Sequence, residues 1–241
     1  MGGMVKDFDD KPALPLWLGG AAALAMVVHL YLVFVWVPTE ATMGIVQRLF
    51  YFHVPAAMTG FVACFVGGVS AILYLVKRDE RYDDLSLAAN ETVVVFGAIN
   101  IGLGMMWAKP IWGIWWTWDA KLTSAFLLLF LYAAYLVIRP AAPVEHRATI
   151  CAVVCILGMA DVPLVYMANR LFRTQHPSPV VGGGPGSGLE PDMYITLGFG
   201  VFTMLLLWGC LVKMRRRVAR LERAAEDLTR RAHELDDLRR Y

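Results

Sequence analysis

The chain has 241 residues, of which 58% are hydrophobic and only 17% charged. Such a composition excludes a water-soluble globular domain and reads as a polytopic membrane protein. The net charge of +2 comes mostly from the C-terminal tail, so it gives no reason to expect nucleic acid. The four cysteines fall inside apolar stretches and form no disulfide framework, and without a CxxCH sequence the chain is not itself a c-type cytochrome.

A bilayer core of about 30 Å requires roughly 20 mostly apolar residues per helix. Six stretches qualify: about 16–37, 50–76, 88–108, 122–139, 148–168 and 194–212. They predict an all-α polytopic membrane protein with six transmembrane helices. The first follows "MGGMVKDFDDK", which is not clearly basic, and its apolar run exceeds a signal-peptide core, so it is expected to stay as a helix. Lys and Arg accumulate on cytoplasmic flanks. Placing both termini inside puts twelve of them on the cytoplasmic side before the distal tail is counted, against Arg48, Lys109, Lys121, Arg170 and Arg173 outside. The segments 38–49, 109–121 and 169–193 are therefore expected on the external face.

The first external segment carries Arg48 and runs into the second span as "RLFYFHVPAA". His53 lies about one turn into that span, and Pro55 stands where an early helical position tolerates it. The second holds "WGIWWTWDAKLT", which places Trp112, Trp115, Trp116 and Trp118, half of the chain's eight tryptophans, within seven positions. If 111–120 is helical from Pro110 onward, Trp112, Trp115, Trp116 and Asp119 share one face. An interfacial aromatic belt is one account of these indoles. The other is a continuous apolar platform for a large planar ligand, with indole N–H groups left for polar partners.

In the fifth span Cys151 and Cys155 are one turn apart, for apolar packing or a metal, and Asp161 is an intramembrane carboxylate beside Pro163. The third external segment contains His176 and then "GGGPGSG", residues 182–188, which lacks the lysine of a phosphate loop and suits a hinge. Past residue 212 a charged tail, 213–241, repeats apolar residues at alternating four and three spacing from Met214 to Leu235, the mark of a short coiled-coil seam. It is expected either as a solvated continuation of the sixth helix or as a dock for a neighbouring subunit. The chain thus divides into a membrane domain over 1–212, with an external segment at 107–123, and a cytoplasmic helical tail over 213–241.

A porphyrin fits the external inventory. Its faces are apolar, its iron takes two imidazoles from opposite sides, and its propionates need cations, which Arg48, Lys121, Arg170 and Arg173 supply. Asp119 would repel propionates and is expected to orient an indole N–H or to pair with Lys121.

"WAKPIWGIWWTWDAKLT" resembles the signature of the tryptophan-rich WWD haem-handling proteins, and "RLFYFHVPAA" their first external histidine segment. With six spans and one histidine on each side of the signature, the chain is similar to the CcmC family of system I cytochrome c maturation over nearly all of 16–212. The resemblance implies haem b, bound non-covalently against Trp112, Trp115, Trp116 and Trp118, with His53 and His176 as axial ligands of the iron and Arg48, Lys121 and Asp119 around it. It further implies a bacterial inner-membrane location with the haem site periplasmic, and a role in presenting or exporting haem rather than in catalysis. The implied partners are a periplasmic haem chaperone (CcmE-like), an ABC-type ATPase with its membrane subunit (CcmA/CcmB-like) and a small single-span protein (CcmD-like). Lys121 stands where the family commonly has arginine, and so lacks the bidentate fork. The alternatives are a haem lyase acting directly on apocytochrome c, whose known forms share the motif but have more spans, and a b-type electron-transfer cytochrome.

Overall fold

The computed structural model describes residues 16–176 and 188–240. The hinge expected at 182–188 lies outside them except for Gly188. Among the described residues the regular elements are all helical: α1 (Leu16–Tyr31) ends in a π turn (Leu32–Trp36), and a 3-10 turn (Ile45–Leu49) leads into α2 (Phe50–Lys77). These are followed by α3 (Glu80–Trp112), α4 (Ala120–Ala141), α5 (Val144–Leu171) and α6 (Pro191–Arg240). Six helices are long and apolar enough to cross a membrane, as the hydropathy predicts.

α2 is the central helix and packs on α3, α5 and α6. Its inner face is made of small residues, among them Gly60, Ala63, Gly67, Gly68 and Ala71, all buried. Helices in lipid gain stability by close van der Waals approach rather than by hydrophobic exclusion, and small residues permit that approach. At Gly67 an added Cβ would collide with the Asn90 side chain, and at Gly68 with Met159. Cys155 sits in this seam, its thiol 3.1 Å from Asn90 Oδ1. Cys151 and Cys155 both belong to the buried apolar cluster at the centre of the bundle.

The third helix starts eight residues before its apolar run because its acidic first turns are neutralised within the fold. Asp79 caps it by accepting from the Arg81 N–H. Asp83, almost fully buried, takes a two-pronged contact from Arg139 of α4 at 3.0 and 2.7 Å. Arg223 of α6 adds contacts to Asp83, Asp84 and Glu80, Arg215 pairs with Glu91 and Arg147 with Glu226.

α6 continues unbroken past position 213, and between Arg215 and Glu226 its extension contacts this chain's own α3 and α5 through these ion pairs. The apolar stripe of the tail faces away from those ion pairs, with Met214, Val218, Leu221, Leu228 and Leu235 exposed.

Candidate functional site

The end of the bundle opposite the α2–α3 turn gathers the start of α2, the end of α3, the start of α4 and the end of α5. His53, the fourth residue of α2, points at α3. Its Nδ1 lies 2.9 Å from the Asn100 carbonyl oxygen. A carbonyl only accepts, so Nδ1 carries the proton and Nε2 keeps its lone pair, the arrangement that outer-shell partners impose on metal-binding histidines. α3 admits the ring because position 104 is glycine: a Cβ there would stand 3.0 Å from His53 Cε1. Trp107, one turn before the end of α3, meets the imidazole edge-on at 5.9 Å and Phe50 at 6.0 Å.

The tryptophan segment differs from the helical expectation. α3 runs through Pro110 and Trp112 and stops at Gly113, whose φ of 76° is the left-handed conformation that ends helices and suits glycine. Residues 114–119 are then extended or bent, so Trp112, Trp115, Trp116 and Asp119 share no helix face. The indoles also form no single flat surface. Trp116 and Trp118 meet edge-to-face at 5.6 Å, and each packs the same way on Phe126 of α4, at 6.2 and 6.1 Å. Trp116 is the half-buried member, while Trp115 and Trp118 are exposed at 54% and 73%. That exposure leaves two indole faces open to a ligand.

Asp119 does not orient an indole, and it forms no ion pair with Lys121. It is the N-cap of α4, accepting from the Leu122 N–H at 3.0 Å through Oδ1. Its Oδ2 accepts from the Thr117 hydroxyl at 2.9 Å and from the Gln175 N–H at 3.2 Å. Gln175 directly precedes His176. One carboxylate thus shapes the tryptophan turn, starts the next helix and latches the segment that bears the second histidine. The His176 carbonyl accepts from the Thr174 hydroxyl at 3.3 Å.

Of the four expected cations, Arg48, Lys121 and Arg170 are partly engaged. Arg48 donates one N–H to the Phe34 carbonyl at 2.9 Å, closing the end of the π turn, while its Nε is buried without a partner. Lys121 donates to the Val165 carbonyl at 2.8 Å and has two further protons to offer. Arg170 lies over the Tyr166 ring at 5.2 Å, and Arg173 is exposed. Buried indole N–H groups without partners are present at Trp107 and Trp116. Unpaired donors of this kind suit a ligand with an apolar body and anionic arms. Asp161 is not among these groups; it sits on α5 with one carboxylate oxygen buried and unpartnered.

The residues that sequence reasoning missed are Asn100 and Gly104, which orient His53, and Gln175, which receives the latch. Trp107 was quoted within the signature without a role of its own. The one available signal was "NIGLG", a closely spaced glycine pair near the end of the span.

Residues 9–231 match the family model described as heme exporter protein C. The chain is 30% identical over 203 residues to the heme exporter protein C of Escherichia coli K12, covering 83% of this chain and 81% of that one. The heme exporter protein C of Paracoccus denitrificans is 27% identical over 221 residues, 88% of this chain and 91% of that one. A putative cytochrome c biosynthesis ccmC-like mitochondrial protein of Marchantia polymorpha is 28% identical over 183 residues, 75% and 77% of the two chains.

Proposed function

The chain belongs to the heme exporter protein C family, a multi-pass membrane family of haem handling in cytochrome c maturation, and from that premise we propose that it holds haem b non-covalently at the periplasmic face of the bacterial inner membrane and presents it to a haem chaperone. Both termini are then cytoplasmic, in line with the Lys and Arg distribution. The observation that supports this reading is the state of His53: its Nδ1–H goes to Asn100, its Nε2 lone pair is left for a metal, and the ring stands beside Trp107 at the end of the bundle opposite the α2–α3 turn.

His53 and His176 serve as axial ligands in this proposal. Trp115 and Trp118 offer exposed indole faces, Trp112 and Trp116 complete the aromatic segment, and Arg48 and Lys121 receive the propionates with the help of the unpaired indole donors. Asp119 acts on the protein rather than on the ligand, holding the His176 segment over the site. The haem is cargo: bis-imidazole ligation fixes the iron while an edge of the porphyrin remains within reach of the chaperone. The chaperone, the ABC-type ATPase with its membrane subunit and the small single-span protein are the partners this role requires. A handling role calls for no nucleophile or general acid from this chain.

The test is the visible spectrum of the purified protein in detergent, wild type beside His53→Ala, His176→Ala and a Trp115/Trp116 double alanine variant. A bis-histidine spectrum that changes with each histidine and weakens with the tryptophans supports the proposal. Haem-free wild type from cells with abundant haem, or identical spectra across the set, sinks it.

A further inference from the structure

Pro55 lies inside α2. With no N–H, it cannot close the helical bond to the carbonyl four residues earlier, which belongs to Tyr51. Inside a bilayer water does not fill such a vacancy, and another protein group has to. The group that does so is His29 of α1, whose Nε2 is 3.2 Å from the Tyr51 carbonyl oxygen. His29 is completely buried and edge-on to Phe52 at 5.1 Å. Since a carbonyl accepts, Nε2 carries the proton; Nδ1 is buried with no partner, so the single bond to Tyr51 is the ring's one polar contact.

α6 completes the arrangement. At Gly200 an added Cβ would stand 2.6 Å from His29 Cε1 and 3.1 Å from both Pro55 Cγ and the Tyr51 carbonyl oxygen. The missing side chain at 200 is the space the imidazole occupies. Three helices therefore converge on the turn from Tyr51 to Pro55, and that turn carries His53, whose own ring is held by α3.

We infer that His29 is a positioning residue for the haem site: it supplies the hydrogen bond that Pro55 removes and, seated against Gly200, fixes the helical turn from which His53 projects. The inference rests on His53 being a haem ligand, but its mechanical half does not. Pro55→Ala restores an N–H that closes on Tyr51, and this makes His29 dispensable. The effect of His29→Ala must therefore depend on what stands at position 55.

The experiment uses the full-length protein in nanodiscs, as wild type, His29→Ala, His29→Gln, Pro55→Ala and the His29→Ala/Pro55→Ala double variant. Two readouts are taken: hydrogen exchange of the peptide covering 49–57 without haem, and the low-spin EPR signal with the midpoint potential of the haem-loaded protein. His29→Ala is expected to speed exchange by about five- to tenfold, the worth of one net hydrogen bond, and to shift both haem signals. His29→Gln, which keeps a donor, recovers part of each, and the double variant returns to the Pro55→Ala values. Additive effects of His29→Ala and Pro55→Ala on exchange overturn the inference. So does a His29→Ala protein with altered exchange but an unchanged EPR signal and potential, which leaves His29 a structural pin. If the wild type binds no haem, the functional proposal fails separately, and exchange alone still decides whether His29 replaces the Pro55 bond.

Discussion

Asp119→Asn separates two jobs that one carboxylate performs. As a helix cap, asparagine is about as good as aspartate, so its remaining oxygen can keep the Leu122 N–H and the start of α4. The other oxygen becomes an NH2 group. Thr117 adapts, because its hydroxyl rotates from donor to acceptor. The Gln175 N–H cannot, and donor then faces donor. A hydrogen bond to a charged group contributes about 1.5–3 kcal/mol, and the exposed setting of Gln175 puts this one at the low end, roughly 1.5 kcal/mol, or about tenfold in an equilibrium. The expected result is a roughly tenfold faster loss of haem to an apo-globin acceptor and a reduced low-spin EPR fraction, with a loss of unfolding stability no larger than that same ~1.5 kcal/mol. Asp119→Ala loses the cap as well, which costs a further ~1 kcal/mol of stability. An Asp119→Asn protein that releases haem at the wild-type rate, or one that unfolds as early as Asp119→Ala, refutes the latch.

Gly104→Ala brings a methyl group to 3.0 Å from His53 Cε1, and is expected to lower haem occupancy and move the Soret band while the other five helices stay intact by circular dichroism; an unchanged spectrum argues against His53 as a ligand oriented by α3. The two tryptophans of the edge-to-face group should part company. Trp116→Ala and Trp118→Ala each lose two ring pairs of about 0.5–1.5 kcal/mol, but only Trp116 also loses substantial burial, so Trp116→Ala should lower the melting temperature more while Trp118→Ala chiefly lowers haem retention; equal melting losses would count against the observed packing. At the α2–α3 end of the bundle Arg139→Ala strips the closest partner from nearly buried Asp83. Breaking a buried pair costs about 3–5 kcal/mol, and the remaining Arg223 contact keeps the loss below that range, so Arg139→Ala/Arg223→Ala should lose clearly more than the sum of the singles in a denaturation series. Simple additivity would mean that Asp83 is hydrated in the native state.

Hydropathy alone carried the six spans, because the bilayer imposes one length and one composition on any helix that crosses it. The tryptophan cluster, the two flanking histidines and the family likeness were equally legible, since they depend on residue type and order. The helix ends were not. Apolar counting stops where charge begins, but α3 extends back to Glu80 because Arg139 and Arg223, 56 and 140 positions away from Asp83, neutralise its acids. Pro110 suggested a helix that starts there and carries 111–120 on one face; instead α3 runs through Pro110 and the left-handed turn at Gly113 ends it, because a glycine there can reverse the chain toward α4. The sequence could not say which hydrogen each polar group would use. Asn100 for His53, Gln175 for Asp119 and His29 for Tyr51 are partners separated by 47, 56 and 22 positions. A residue's type declares what it can bond; only the packed helices decide which buried group is left needing that bond.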